Sequence, residues 1–251
     1  MIVTIHFSNK LYKTDLSKPL DISIRIKNGE ENPCAYYAPP VEISPVIAEN
    51  FIGDISQGGI INYKNIKINP HGNGTHTECV GHIAKEEYVI NQCLKEFIFL
   101  AELTTIRPVK IENGDNVITQ NEVKHISNNE QAKAIVIRTL PNGLDKETRN
   151  YSGTNPPYIS DEAVAYLVYK GFEHLLIDLP SVDREEDGAK FLAHKAFWKY
   201  PGSVRKNSTI TELIYVEDAI KDGLYLLQIN VLNIECDASP SRPILYELLD
   251  A

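Results

Sequence analysis

Cysteine is scarce and scattered in this chain. Cys34, Cys79, Cys93 and Cys236 are the only four in 251 residues, and no CxxC pair occurs among them. That pattern excludes a disulfide scaffold and a zinc-finger core, and a reducing cytoplasm is the expected location. Positive charge is also short: Lys+Arg 25 stand against Asp+Glu 34, for a net charge of -9. A nucleic-acid partner needs the opposite balance, so none is expected. No run of about 18 apolar residues is present, which leaves no membrane span to expect. The opening "MIVTIHFSNKLYKTDLS" lacks the basic-then-apolar order of a secretory leader and alternates like a strand. Two hydrolase signatures are missing as well. Without G-x-S-x-G there is no serine elbow, and without H-E-x-x-H there is no zincin helix.

What is present reads as a folded α/β chain. The apolar fraction is 43%, ordinary for a globular core. "IVTIHF" alternates as a strand, and "DLSKPLDISIRI" is a second extended piece with Ile22, Ile24 and Ile26 on one face. Residues 28–46 hold four prolines and form a surface loop or arm. "GGIINYKNIKINPHGNG" gives two strands flanking Tyr63–Lys64, and "EEYVINQCLKE" a short helix. "FIFLAELTTI" is a strand, "TQNEVKHI" a short helix with Thr119 and Glu122 spaced as a capping box. "AKAIVIRTL" and "FEHLLIDLP" are buried strands. The helix "SDEAVAYLVYKG" joins them, so they are expected to run parallel. Between them lies a polar loop at 141–159, long enough to imply that it covers a site. "DGAKFLAHKAFWK" is a short helix and "GLYLLQINVLNI" a long two-faced strand. With no internal repeat and no linker-like break, a single domain over 1–251 is the economical reading.

The chemistry concentrates in "NPHGNGTHTECVGHI", residues 69–83, which holds His71, His76, Glu78 and His82; the whole chain has only seven histidines. His76 and Glu78 are two apart and point the same way from an extended strand. The glycines before them allow a tight turn that aims His71 at the same point, and His82 returns from the next turn. Imidazole and carboxylate donors suit zinc, manganese or iron rather than calcium. On spacing alone, a metal site and an ordinary polar loop both remain open. Cys79, the neighbour of Glu78, is expected to face the core.

"GTHTECVGH" resembles the H-x-G-T-H-x-D-x-x-x-H signature of the metal-dependent cyclase family, which includes bacterial kynurenine formamidase and isatin hydrolase. The likeness continues through "TDLSKPL", "IVIRT", "LLIDLPSVD", "AHKAF", "ITELIYVEDAIKDGLYLLQI" and "SPSRPI". It implies an α/β fold, a mixed-sheet domain of the swivelling β/β/α type, dimeric or tetrameric, binding one or two divalent metal ions, zinc or manganese. By position His76 and His82 match metal-site histidines, Glu78 replaces the usual aspartate, and His194 and Glu212 match the late ligands. His71 lies one residue before the place of the first family histidine, which here is Gly72.

The implied activity is hydrolysis of a formyl amide on an aromatic compound by metal-bound hydroxide, as in N-formylkynurenine to kynurenine plus formate in tryptophan catabolism. Opening a cyclic amide or lactone, closing a ring, and a non-catalytic metal-binding role are the alternatives. The expected metal set is His71, His76, Glu78, His82, His194 and Glu212, with His82 or His194 moving the proton. Arg138 is a candidate for a substrate carboxylate, with a structural salt bridge as its alternative. Tyr36 and Tyr37 are candidates to wall an aromatic pocket, and Asp178 and Asp183 to fix loops or orient a ligand histidine.

Overall fold

In the computed structural model, which describes every residue except 8–9, 129–131 and 251, the two buried strands read from the sequence lie side by side. Ala134–Thr139 is buried at every position. Ile135 and Ile137 enter one core with Leu175, Ile177 and Trp198, while Ala134 and Val136 enter another with Leu176, Leu103 and Leu227. A strand covered on both faces needs apolar residues at consecutive positions, which is why "AIVI" shows no alternation. His174–Ile177 pairs with it in parallel, through the helix Asp161–Tyr169. Ser160 caps that helix by accepting the Ala163 amide at 3.2 Å, and Gly171, at φ +92°, turns the chain out of it.

These strands are the middle of a nine-stranded mixed sheet. Its order is Ala238–Pro240, His76–Glu78, Thr209–Glu212, His174–Ile177, Ala134–Thr139, Ile98–Ile106, Gly223–Gln228, Ile244–Glu247, Leu20–Asp21. The four central strands are parallel and the flanking ones antiparallel. Helices Asp161–Tyr169 and Leu192–Trp198 cover one face. The result is a curled sheet with flanking helices, the swivelling β/β/α architecture.

The short helices form at Ile90–Cys93 and Gln120–Val123, the second closed by the Thr119–Glu122 capping box. Three expectations need correction. The stretch 58–67 holds one strand, Lys64–Lys67, paired with Glu42–Pro45 of the arm; the glycines at 58 and 59 sit in a turn closed on Asp54. The "GLYLLQINVLNI" strand stops at Gln228, where the chain breaks away toward the bridge between Val231 and Ser241. Of the second extended piece, Asp15 ends the strand Lys10–Asp15 and beyond it only Leu20–Asp21 is a strand, although Ile22 and Ile24 are buried.

The polar loop at 141–159 braces rather than floats. The Tyr151 amide bonds the Cys34 carbonyl at 2.7 Å, and the Tyr37 amide bonds Ser152 Oγ at 2.8 Å. At its root Asp178, wholly buried, accepts from the Thr139 amide at 2.8 Å and from Lys146 Nζ at 2.7 Å.

One buried histidine makes stability pH-dependent. Burial, then the charges of Lys133 and Arg205, depress His174 to about 3, while its Nδ1 meets Thr209 Oγ1 at 2.8 Å. The unfolded chain takes up a proton near pH 6.5 that the folded chain refuses. Stability from this group is therefore complete above pH 6.5 and is lost as pH falls toward 3, by at most about 1.4 kcal/mol per pH unit. Urea unfolding of His174→Gln from pH 7 to 4 should show a shallower acid loss than the parent. Equal slopes would remove His174 from the account.

Candidate metal centre

The edge of the parallel sheet builds the site. His76 and Glu78 alternate on the strand His76–Glu78, and the neighbouring strand is registered so that Glu212 pairs with His76. Cross-strand partners share a face, which places Glu212 Oε2 3.3 Å from His76 Nε2. His194 comes from the helix Leu192–Trp198. Asp183 accepts the Ala193 and His194 amides at 2.7 and 3.2 Å and also bonds His194 Nδ1. One carboxylate thus caps the helix and aims the other ring nitrogen, Nε2, at Glu78 Oε1, 3.1 Å away. Glu212 is held in turn by the Val182 amide, 2.7 Å from its Oε1.

His71 arrives by a route that spacing does not reveal. Residues Pro70–Asn73 form a single helical turn capped by Asn69, where the sequence suggested a tight turn hinged on the glycines. A Cβ on Gly72 would lie 2.3 Å from Ala38 Cβ and 2.9 Å from the Ala35 carbonyl oxygen. The arm therefore excludes any side chain at 72, and the histidine stands at 71. Its Nδ1 lies 3.2 Å from Glu78 Oε2. His82, ending the turn Val80–His82, brings Nδ1 to 3.7 Å from the same oxygen.

Two atoms test whether a cation fits. Among the described residues His76 Nε2 and Glu78 Oε2 are fully buried without a hydrogen bond, a costly state unless a positive centre satisfies both. The neighbouring donor atoms lie 3.1–3.3 Å apart, close to the ~3.3 Å edge of a tetrahedral shell with bonds of about 2.0–2.1 Å. The donor atoms of His71, His76 and Glu78 fall within 4.8 Å of one another, as do those of Glu78, His82 and His194, and those of His71, His82 and Asp237. The cluster can hold a metal ion. Cys79 contributes nothing to it, since its buried side chain belongs to the opposite core.

Asp237 is the residue sequence reading missed. It precedes the edge strand Ala238–Pro240, and "ECDASP" carries no histidine or spacing to mark it. Its Oδ2 lies 2.9 Å from His71 Nε2 and 3.3 Å from His82 Nδ1.

The carboxylates dominate the electrostatics. Burial opposes ionisation of Glu78, yet His82, His194 and His71 hold its carboxyl well below the ordinary range. Burial also works against a charged His71, but Asp237 and Glu78 lift it to about 10. His194 is lifted to about 10 against burial by Asp183, Glu78 and Glu212.

A cavity of about 680 Å³ opens onto the cluster, lined by Tyr36, Phe191, Arg184 and Glu185 as well as His71, His82, His194 and Glu212. Tyr36 at φ +52° and Phe191 at +50° adopt left-handed backbone on its wall, a conformation that costs bulky residues about 1–3 kcal/mol and concentrates at working sites. Tyr37 stays outside, 76% exposed. Arg138 is placed elsewhere too. Its guanidinium donates to Thr105 Oγ1, to the Glu217 and Ile220 carbonyls and to Asp222, the structural salt bridge that was its alternative. Arg184, on the cavity wall, is paired with Asp115 at 2.9 Å.

Residues 14–184, more than half of the chain, match the family described as "Putative cyclase". The chain belongs to this cyclase family. Isatin hydrolase A from Labrenzia aggregata, solved with benzyl benzoate, superposes with a TM-score of 0.65 at 13% identity over 91% of this chain and 93% of its own. Isatin hydrolase A from Ralstonia solanacearum gives 0.65 at 13% identity, over 91% of each chain. A structure described as a potential metal-dependent hydrolase with cyclase activity gives 0.66 at 18% identity, over 91% of this chain and 97% of its own. At these identities the likeness carries the cyclase fold alone. Comparison with curated proteins finds no match.

With His71 and His194 protonated at pH 7, a cation can enter only by displacing protons. Titration calorimetry with zinc or manganese in buffers of differing ionisation enthalpy should show release of about two protons per chain, and weaker binding at pH 6 than at pH 7. Binding without proton release would refute these charge states. His76→Ala should lower the bound metal measured by elemental analysis.

Proposed function

We propose that this cyclase-family protein is a metal-dependent hydrolase of a small aromatic amide, with formyl anilides of the N-formylkynurenine kind as the first substrate class. The observation that carries the reading is the meeting of His76, Glu78, His194 and Glu212, with two orphaned buried atoms, at the floor of a cavity walled by Tyr36 and Phe191. A divalent ion, zinc or manganese by the nitrogen and carboxylate donors, would be held by His71, His76, Glu78, His194 and Glu212, polarising a carbonyl and acidifying water.

The chain's own side chains do the rest. Phe191 and the half-exposed Tyr36 receive the aromatic ring at the cavity wall. Burial and the nearby Glu212 charge raise the Tyr36 phenol, so it stays protonated and able to donate a hydrogen bond. His82 is 28% exposed at its side chain and lines the cavity. It takes a proton from water and returns it to the leaving nitrogen. His194 is committed through Nδ1 to Asp183 and through Nε2 to Glu78, so we place it as a ligand rather than as the base. Arg138 has no part in substrate binding in this reading.

The protein is also proposed to be a homodimer or tetramer. Ile47, Ile55, Ile60, Ile61, Tyr63 and Ile66 are each at least half exposed on one stretch following the arm, and clustered exposed apolar side chains are what an interaction surface presents. A cytoplasmic location fits the four free thiols. No helix among the described residues is long and apolar enough to cross a membrane.

Metal-loaded protein offered formyl anilides, isatin-like lactams and simple lactones should turn over the formyl anilides fastest. His82→Ala should cut kcat by about 10²–10⁴ while keeping its metal. No turnover of any of them under any divalent ion would end the enzyme reading, and a faster lactam would move the substrate class. Light scattering should find an oligomer that Ile60→Lys with Ile66→Lys dissociates; an unmodified chain that runs as a monomer contradicts the assembly.

A further inference from the structure

Asp237 contacts two of the site's histidines through a single oxygen, and the two contacts reach different ring nitrogens. Oδ2 is 2.9 Å from Nε2 of His71 and 3.3 Å from Nδ1 of His82, both in hydrogen-bond geometry. The carboxylate is itself anchored: Cys236 Sγ donates to its Oδ1 at 3.2 Å, and its backbone carbonyl accepts the Cys79 amide at 2.9 Å. On the far side of the His71 ring, Nδ1 faces Glu78 Oε2 at 3.2 Å, the oxygen left without a hydrogen bond.

A carboxylate can only accept, so each nitrogen it meets must carry the proton. A neutral imidazole has one N–H, and fixing it on one nitrogen bares the other. We propose that Asp237 is a positioning residue that sets opposite tautomers in two histidines: N–H at Nε2 of His71, baring Nδ1 for the cation, and N–H at Nδ1 of His82, baring Nε2 for proton transfer. The proposal rests on the metal-dependent reading above and extends it to a residue outside the ligand set. It also explains how His71 serves from a helical turn one residue early, since its orientation is set by the edge-strand carboxylate and not by the backbone that carries it. Carboxylates behind metal-bound histidines act in this way, and their loss commonly lowers metal affinity about 10- to 100-fold.

The test compares the parent with Asp237→Ala, and with Asp237→Asn as a nearly isosteric second variant should the alanine protein fold poorly. Metal content at saturation, affinity by chelator competition, and long-range ¹H–¹⁵N imidazole spectra of the zinc-loaded protein are read together. The parent should show His71 protonated at Nε2 and His82 at Nδ1. Both variants should bind the same number of ions as the parent, about 10- to 100-fold more weakly, with both tautomers mixed. At saturating metal kcat should fall with KM little changed. Unchanged affinity and unchanged tautomers would overturn the proposal. Loss of one ion per chain at saturation would also overturn it, by making Asp237 a ligand. Failure of the underlying reading looks different: the parent takes up no divalent ion, or His76→Ala takes up as much as the parent, and Asp237 then has no metal-site role.

Discussion

A wholly buried carboxylate governs this structure. Glu78 is 0% exposed, and its two oxygens face His194, His71 and His82 at 3.1, 3.2 and 3.7 Å. Leaving such an anion without a partner costs about 3–5 kcal/mol, a large share of a domain's net stability. The chain therefore has to bring positive charge to this point from three other segments. The helix delivers His194 and two turns deliver His71 and His82, and Asp237, just before the edge strand, holds the last two by accepting from their rings. Stability and chemistry converge on the same oxygens.

The sheet makes that convergence cheap to specify. Because His76–Glu78 inserts antiparallel between Thr209–Glu212 and Ala238–Pro240, three remote parts of the sequence lie one strand spacing apart, about 4.8 Å. A slip of one residue would turn His76 and Glu78 to the Cys79 face, which is filled by Ile90, Leu94, Phe99 and Val216. The apolar packing on that face thus fixes the register that the site depends on. Phe99 and Ala101 of the long central strand belong to the same cluster, so site and core are parts of one packing problem.

What was legible in the sequence follows from how local each signal is. The parallel pair "AIVIRT" and "HLLI" and the capped helix between them were readable because burial on both faces and a serine cap leave local marks. The extent of "GLYLLQINVLNI" was not, because apolar alternation continues past Gln228 while the partner strand ends at Ile98 and a last bond from the Ile229 amide to the Phe97 carbonyl closes the pairing. In the site, His76, Glu78 and His82 stood out by spacing, whereas His194 and Glu212 came only through family likeness. Asp237 had neither kind of mark. Its position comes from strand pairing across more than 150 residues, and an aspartate before a small-residue run resembles any turn. Arg138 was left open for the converse reason: an arginine near the end of a buried strand reads equally as a substrate ligand or a salt-bridge partner, and only the fold shows its donors taken by Thr105, Glu217, Ile220 and Asp222.

The two departures from the signature that this sequence resembles meet at one contact. Replacing aspartate by Glu78 carries the carboxylate one methylene farther from its strand. Moving the histidine from 72 to 71, onto a helical turn, changes the direction from which its ring enters. Either change alone would alter the separation of ring and carboxylate; together they leave His71 Nδ1 3.2 Å from Glu78 Oε2. The arm supplies the reason for the shift, since Ala35 and Ala38 occupy the space that a side chain at 72 would need. The same arm continues into Tyr36, whose left-handed backbone turns its ring into the cavity. Close packing of the arm on Gly72 thus couples the aromatic wall to the ligand geometry, and a change in one must be met by a change in the other.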